Sequence, residues 1–195
     1  MRNLELANHI LQNYDKNWSV LYPILKDKID AMNLPLENIA FAEEFICFED
    51  DYAFIRQHMH HIGIDDKSVI DIGCQQGFQS VFFEDCGYTG IDSVETIFFN
   101  DQGNYMHKVF PTEIDIDFTN KIVISNMSLG FFNDENITNE VICDKLKEAE
   151  YLYISSTDEL LQMLAPHFDE IEYFKSCIHQ SCFMRKHKKP SRKEK

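Results

Sequence analysis

Asp71, Gly73, Gly77 and Asp92 are the residues whose types and spacing could act together, within residues 67–93, KSVIDIGCQQGFQSVFFEDCGYTGIDS. The glycines bracket a tight turn, and glycine lets a backbone take positive φ or lets a ligand come close. An acid stands at each side of that turn, and a carboxylate can only accept hydrogen bonds when ionised. A dinucleotide site asks for G-x-G-x-x-G, with a pyrophosphate resting on a helix N-terminus. Here the spacing is Gly73-x-x-x-Gly77 with no third glycine in register. That speaks against a nicotinamide-dependent oxidoreductase.

These residues need a particular scaffold. Val69, Ile70 and Ile72 form the β-branched run of a buried parallel strand. Residues 78–85 suit one or two helical turns, and 88–91 read as a second strand that stops at Asp92. In an open α/β sheet, ligands bind outside the carboxyl ends of the strands, which is where the turn and Asp92 fall.

The stretch resembles the first motif of class I S-adenosylmethionine-dependent methyltransferases, an acid followed by G-x-G-x-G. Asp71, Gly73 and Gly77 match it, and Gln75 replaces the middle glycine. Gln75 either offers its backbone to the cofactor or crowds the pocket. The resemblance implies S-adenosylmethionine as cofactor, cradled by the loop that holds Cys74 and Gln75. It also implies that Asp92, followed by Ser93, grips the ribose. The family often places an acid after the third strand against adenine, and Asp115 and Asp117 are candidates. Residues 121–125, KIVIS, form a strong strand that closes on Asn126, where the family keeps a residue beside the transferring methyl. Lys121 stands where an acid is usual. MSLGFF follows Asn126 in place of the Pro-Pro-aromatic form. Phe131 and Phe132 either line an apolar acceptor pocket or pack.

The implied fold class is α/β, a doubly wound seven-stranded mostly parallel sheet with a C-terminal antiparallel β-hairpin and a helical N-terminal extension. Residues 1–66 read as a helical cap or lid, 67–186 as the Rossmann-like domain, and 187–195 as a basic tail. In the cap, Leu4, Ala7, Leu11 and Tyr14 share one helical face, and Trp18 opens a second stripe. Asp50 or Asp51 can cap a helix through Ile62, with Gly63 as its stop. Further on, the pattern predicts a short helix over 95–100, a third strand over 105–110 and a helix over 134–149. Ile137, Val141, Ile142 and Leu146 face inward in that helix. A fifth strand covers 151–154, a capping box Ser156–Glu159 opens a helix ended by Pro166, and strands cover 170–175 and 181–186.

Composition narrows the function. At 44% hydrophobic and 13% aromatic, the 195 residues can bury a sizeable core. The net charge is −15, although 185–195 alone holds seven of the 18 basic residues. Such an acidic body repels nucleic-acid phosphates and suits a cationic or neutral acceptor. Nucleic acid is therefore an unlikely partner, and a small-molecule or protein acceptor is expected. The six cysteines form no C-x-x-C, so reduced, buried thiols are expected and no metal. His58, His60 and His61 lack ligands to complete a metal set and suit a helix C-terminus. Arg56 is a candidate partner for the cofactor's carboxylate. No apolar run approaches a membrane span and no secretory signal opens the chain, so a cytoplasmic location is expected. The acid and glycine pattern names no general base. The alternative to methyl transfer is a degenerate member of the fold that binds cofactor or a partner without catalysis.

Overall fold

Strand β1, Val69–Ile72, lies at the centre of the sheet and is buried at every position. Its β-branched run has helices to face on both sides. The computed structural model describes residues 49–75, 77–83, 85–95, 104–131, 136–175 and 180–187. The remaining strands are β2 (Tyr88–Asp92), β3 (Asn104–His107), β4 (Ile122–Asn126), β5 (Tyr151–Ser155), β6 (Glu170–Lys175) and β7 (Gln180–Arg185). They form one seven-stranded sheet in the order β3-β2-β1-β4-β5-β7-β6. β1 to β5 run parallel, while β7 is antiparallel to both β5 and β6. This is the expected doubly wound sheet with its antiparallel C-terminal pair.

Helices cover both faces. Helix α1, Glu49–His61, places Tyr52, Ile55 and Met59 against Val69, Ile124, Tyr153 and Phe183. Gly63 follows in the left-handed region at φ 72°, the conformation that stops a helix there. The opposite face buries Ile70, Ile72, Val123 and Leu152 under α2 (Asn139–Leu146) and α3 (Asp158–Leu164).

Local expectations shift in four places. The third strand ends at His107 rather than residue 110, because Phe110 turns into the core instead of continuing the ladder. Helix α2 starts at Asn139, where the Thr138 hydroxyl accepts a hydrogen bond from the Val141 amide. Val141 is an exposed residue of that helix, while Cys143 is buried in the core. Thr157 rather than Ser156 caps α3, since the Ser156 hydroxyl donates to the Leu129 carbonyl and Glu159 accepts from Asn139. Residues 1–48, all but the first residue of the helix expected over 95–100, Phe132 and the tail from 188 lie outside the described residues.

Candidate ligand-binding site

The turn after β1 is built by three left-handed residues at alternate positions, Gly73 (φ 78°), Gln75 (φ 49°) and Gly77 (φ 71°). Gly73 is required on two counts. Its φ is positive, and a Cβ there would lie 2.1 Å from the Ser128 Cβ. Ser128 reaches that place because Met127, at φ 59°, turns the chain sharply after β4. Its hydroxyl then donates to the Ile72 carbonyl at 2.7 Å and meets Ser125 Oγ at 2.8 Å. The carboxyl ends of β1 and β4 are thereby stitched together.

Asp92 closes the other side of the turn. Its Oδ2 accepts the Gln75 amide and its Oδ1 the Val94 amide, each at 2.8 Å. The residue is 9% exposed. An ionised carboxylate offers about four acceptor sites, so two engaged amides leave acceptor capacity at the sheet edge. The described backbone donors of this hairpin, residues 73–75 and 77, are occupied. Gly73 and Cys74 both donate to the Ile91 carbonyl, Gln75 to Asp92, and Gly77 to the Cys74 carbonyl. Apart from the exposed Gln75 side chain, which both donates and accepts, the backbone groups left for a ligand among the described hairpin residues are therefore acceptors. Those suit ammonium and hydroxyl groups and do not suit a pyrophosphate. The segment that follows is a five-residue 3-10 helix, Phe78–Phe82, and not the long helix whose N-terminus cradles phosphate.

Asp71 lies behind the hairpin and is fully buried. Three side-chain donors from three elements converge on it. Tyr88 Oη of β2 is at 2.5 Å, Gln79 Nε2 of the 3-10 helix at 2.6 Å and Tyr52 Oη of α1 at 3.4 Å. Gln79 Nε2 also donates to the Cys74 carbonyl at 3.0 Å, so the cage reaches the hairpin backbone. Burial pushes the Asp71 carboxyl up to about 7 against the pull of its three donors. Burial likewise raises Tyr52, Tyr88 and Cys74, so all three stay protonated.

The remaining candidates divide. Gln75 presents an exposed side chain, and its amide, not its amide side group, holds Asp92. Ser93 is exposed and its carbonyl lies 3.1 Å from His107 Nε2. Asn126 ends β4, and its Nδ2 donates to Asp51 Oδ2 at 3.3 Å. Asp115 is exposed on the connection that leads back to the start of β4, where Asp117 accepts from the Thr119 amide. Arg56 is a correction. Its guanidinium pairs with Asp85 at 2.6 Å, in the loop that enters β2, at the opposite edge of the sheet. His58 is engaged with the Tyr153 hydroxyl at 2.9 Å. The described residues contain no metal-holding group of three His, Cys, Asp or Glu. Nor do they contain a helix long and apolar enough to cross a membrane.

Sequence reasoning missed Asp51, Tyr52, Gln79, Tyr88 and Ser128. They come from four elements and carry no shared spacing. Asp50 or Asp51 was expected to cap α1, but the helix starts at Glu49 and both lie within its first turn, Asp51 buried beside Asn126.

No protein-family model matches the sequence, and neither does any curated protein. Solved structures do match. The plantazolicin methyltransferase BpumL, in complex with a pentazolic desmethylPZN analog and SAH, superposes at TM-score 0.54 with 13% identity. That match covers 94% of this chain and 97% of that one. The Burkholderia thailandensis 1,6-didemethyltoxoflavin-N1-methyltransferase, with its bound substrate and S-adenosylhomocysteine, gives 0.52 with 11% identity over 85% and 89%. EvdMO1 matches at 0.45 and 14% identity over 69% of this chain, which spans 40% of that longer one. At these identities the likeness is one of fold. The chain has the class I S-adenosylmethionine-dependent methyltransferase fold.

Proposed function

We propose that this chain, built on that fold, binds S-adenosylmethionine across the carboxyl ends of β1 and β2 and passes its methyl group to a small-molecule or protein acceptor. One observation carries the reading. The Asp92 carboxylate is clasped to the Gln75 amide at 2.8 Å, in a hairpin whose described backbone donors are all engaged. In this reading the Asp92 lone pairs left over take the ribose hydroxyls, and the hairpin carbonyls take the cofactor's ammonium. Val94, 65% exposed just beyond Asp92, offers apolar surface for the adenine. Ser93 and Asn126 flank the site, and Asp115 is kept as an adenine contact made only in the bound state.

When bound, the sulfonium supplies an already activated methyl group, so the protein's task is to position and to exclude water. The Asp71 cage holds the hairpin through Gln79, and Ser128 holds β4 against it. The acidic body favours a cationic or neutral acceptor over an anionic one.

Calorimetry on the full chain with S-adenosylmethionine, S-adenosylhomocysteine and NAD tests this. Micromolar binding of either sulfur compound, without NAD binding, is expected. Tight NAD binding, or no binding of either sulfur compound, overturns the reading. Transfer of a labelled methyl group to a panel of acceptors then separates an enzyme from a member of the fold that only binds.

A further inference from the structure

The three carbonyls of residues 92–94, where β2 ends, each have a donor from β3 or the residue after it. The Lys108 amide donates to the Asp92 carbonyl at 2.8 Å. His107 Nε2 lies 3.1 Å from the Ser93 carbonyl, and the Tyr105 hydroxyl donates to the Val94 carbonyl at 2.5 Å. A carbonyl can only accept, so His107 carries a hydrogen on Nε2. The register explains how these side chains arrive there. Asp92 and His107 stand opposite each other on parallel strands. Tyr105 and His107 are two residues apart and so share one face of β3. Met106, between them, packs against the core around Ile91 on the other face.

Stability alone is a poor reason for these bonds. Both side-chain bonds are exposed, as are Ser93 and Val94. Water serves an exposed carbonyl nearly as well, so a side chain in its place adds little to folding. What the bonds do fix is the path of residues 92–94. The Ser93 carbonyl and the Val94 amide are the two ends of one planar peptide group. His107 holds the carbonyl end, and Asp92 Oδ1 accepts from the amide end at 2.8 Å. The chain runs from imidazole N–H to carbonyl, then from amide N–H to carboxylate. Its dipoles all point one way, so each bond strengthens the next. Tyr105 holds the following peptide group by its carbonyl.

We infer that His107 and Tyr105 are positioning residues for the Asp92 carboxylate, holding the peptide that grips it and thereby setting its aim toward the ligand. This rests on the function proposed above, in which Asp92 takes the ribose hydroxyls. The two side chains act through the turn and not by touching the ligand.

The test uses the full chain and the double variant His107→Ala, Tyr105→Phe, with 15N relaxation and calorimetry against S-adenosylhomocysteine. In the variant without ligand, the order parameters of the Ser93 and Val94 amides are expected to fall. Affinity for S-adenosylhomocysteine should weaken about fivefold, within the coupling expected of residues in one hydrogen-bond network. The melting temperature should stay the same. In an Asp92→Ala chain the same two substitutions should cost no further affinity, because the carboxylate they aim is gone. A full fivefold loss in that background would mean that the side chains meet the ligand themselves, and overturns the inference. So does an unchanged affinity, a pair of amides as rigid as before, or a drop in melting temperature, which would make the contacts structural. If S-adenosylhomocysteine does not bind the unsubstituted chain, the cofactor reading fails. The amide order parameters then decide alone whether the two side chains position Asp92.

Discussion

Asp71 and Asp92 carry the same side chain on neighbouring strands, yet the fold treats them in opposite ways. Asp71 is sealed, and three side chains from separate elements point their donors at it. Asp92 stays at the edge, held by two backbone amides. Side-chain donors converging on a buried carboxylate make a scaffold and leave nothing for a ligand. Backbone donors fix an edge carboxylate in place while leaving lone pairs outward. On the reading proposed above, the first acid is structural and the second takes the ligand.

Replacing each acid in turn breaks the comparison most directly. Asp71→Ala removes the acceptor that the Tyr88 and Tyr52 hydroxyls and the Gln79 amide share in the core, at a cost of about 4 kcal/mol. Chemical denaturation of the variant should show that loss, with Tyr88→Phe giving about a third of it. Asp92→Ala should cost stability far less. Its effect appears instead in calorimetry, as S-adenosylhomocysteine binding weakened about 100-fold, the value of two charge-assisted hydrogen bonds. Equal stability losses from the two alanines would erase the distinction.

The acids should also separate by pH. The folded Asp71 value, pushed up to about 7, lies above its unfolded value near 3.8. Between the two, the folded chain keeps a proton that the unfolded chain has released. The stability this contributes is complete below about pH 4 and is lost as pH rises through about 7. Asp71→Asn should flatten that part of the pH–stability curve. Asp92→Asn should shift it to lower pH, since the charge on Asp92 raises Asp71. A slope unchanged in Asp71→Asn would show that the buried carboxyl is not its source.

Much of this was legible in the residues. The β-branched runs at Val69 and Lys121 gave β1 and β4, and the glycine pair gave the turn. Asp92 could be placed because one strand and one turn determine it. The Asp71 cage was not legible. Tyr52, Gln79 and Tyr88 meet only when α1 crosses the sheet, and tertiary convergence leaves no local period to read. Gln75 was left open between offering its backbone and crowding the pocket. Its φ of 49° is left-handed, its side chain is exposed and its amide is held by Asp92.

The smallest expected effect follows from that residue. Gln75→Gly removes a side chain held in a conformation that favours glycine and should stabilise the chain by roughly 0.5–1 kcal/mol. Affinity for S-adenosylhomocysteine should not change, because the amide that binds Asp92 remains. A weakened affinity would give the Gln75 side chain a part in recognition.

The central claim is that the Asp92 clasp is the ligand site. Titrating S-adenosylhomocysteine into the 15N-labelled full chain while following the Gln75 and Val94 amides tests it most directly. Both amides should move together and saturate along the calorimetric binding curve. Binding heat with both amides unmoved would place the ligand elsewhere and contradict the account.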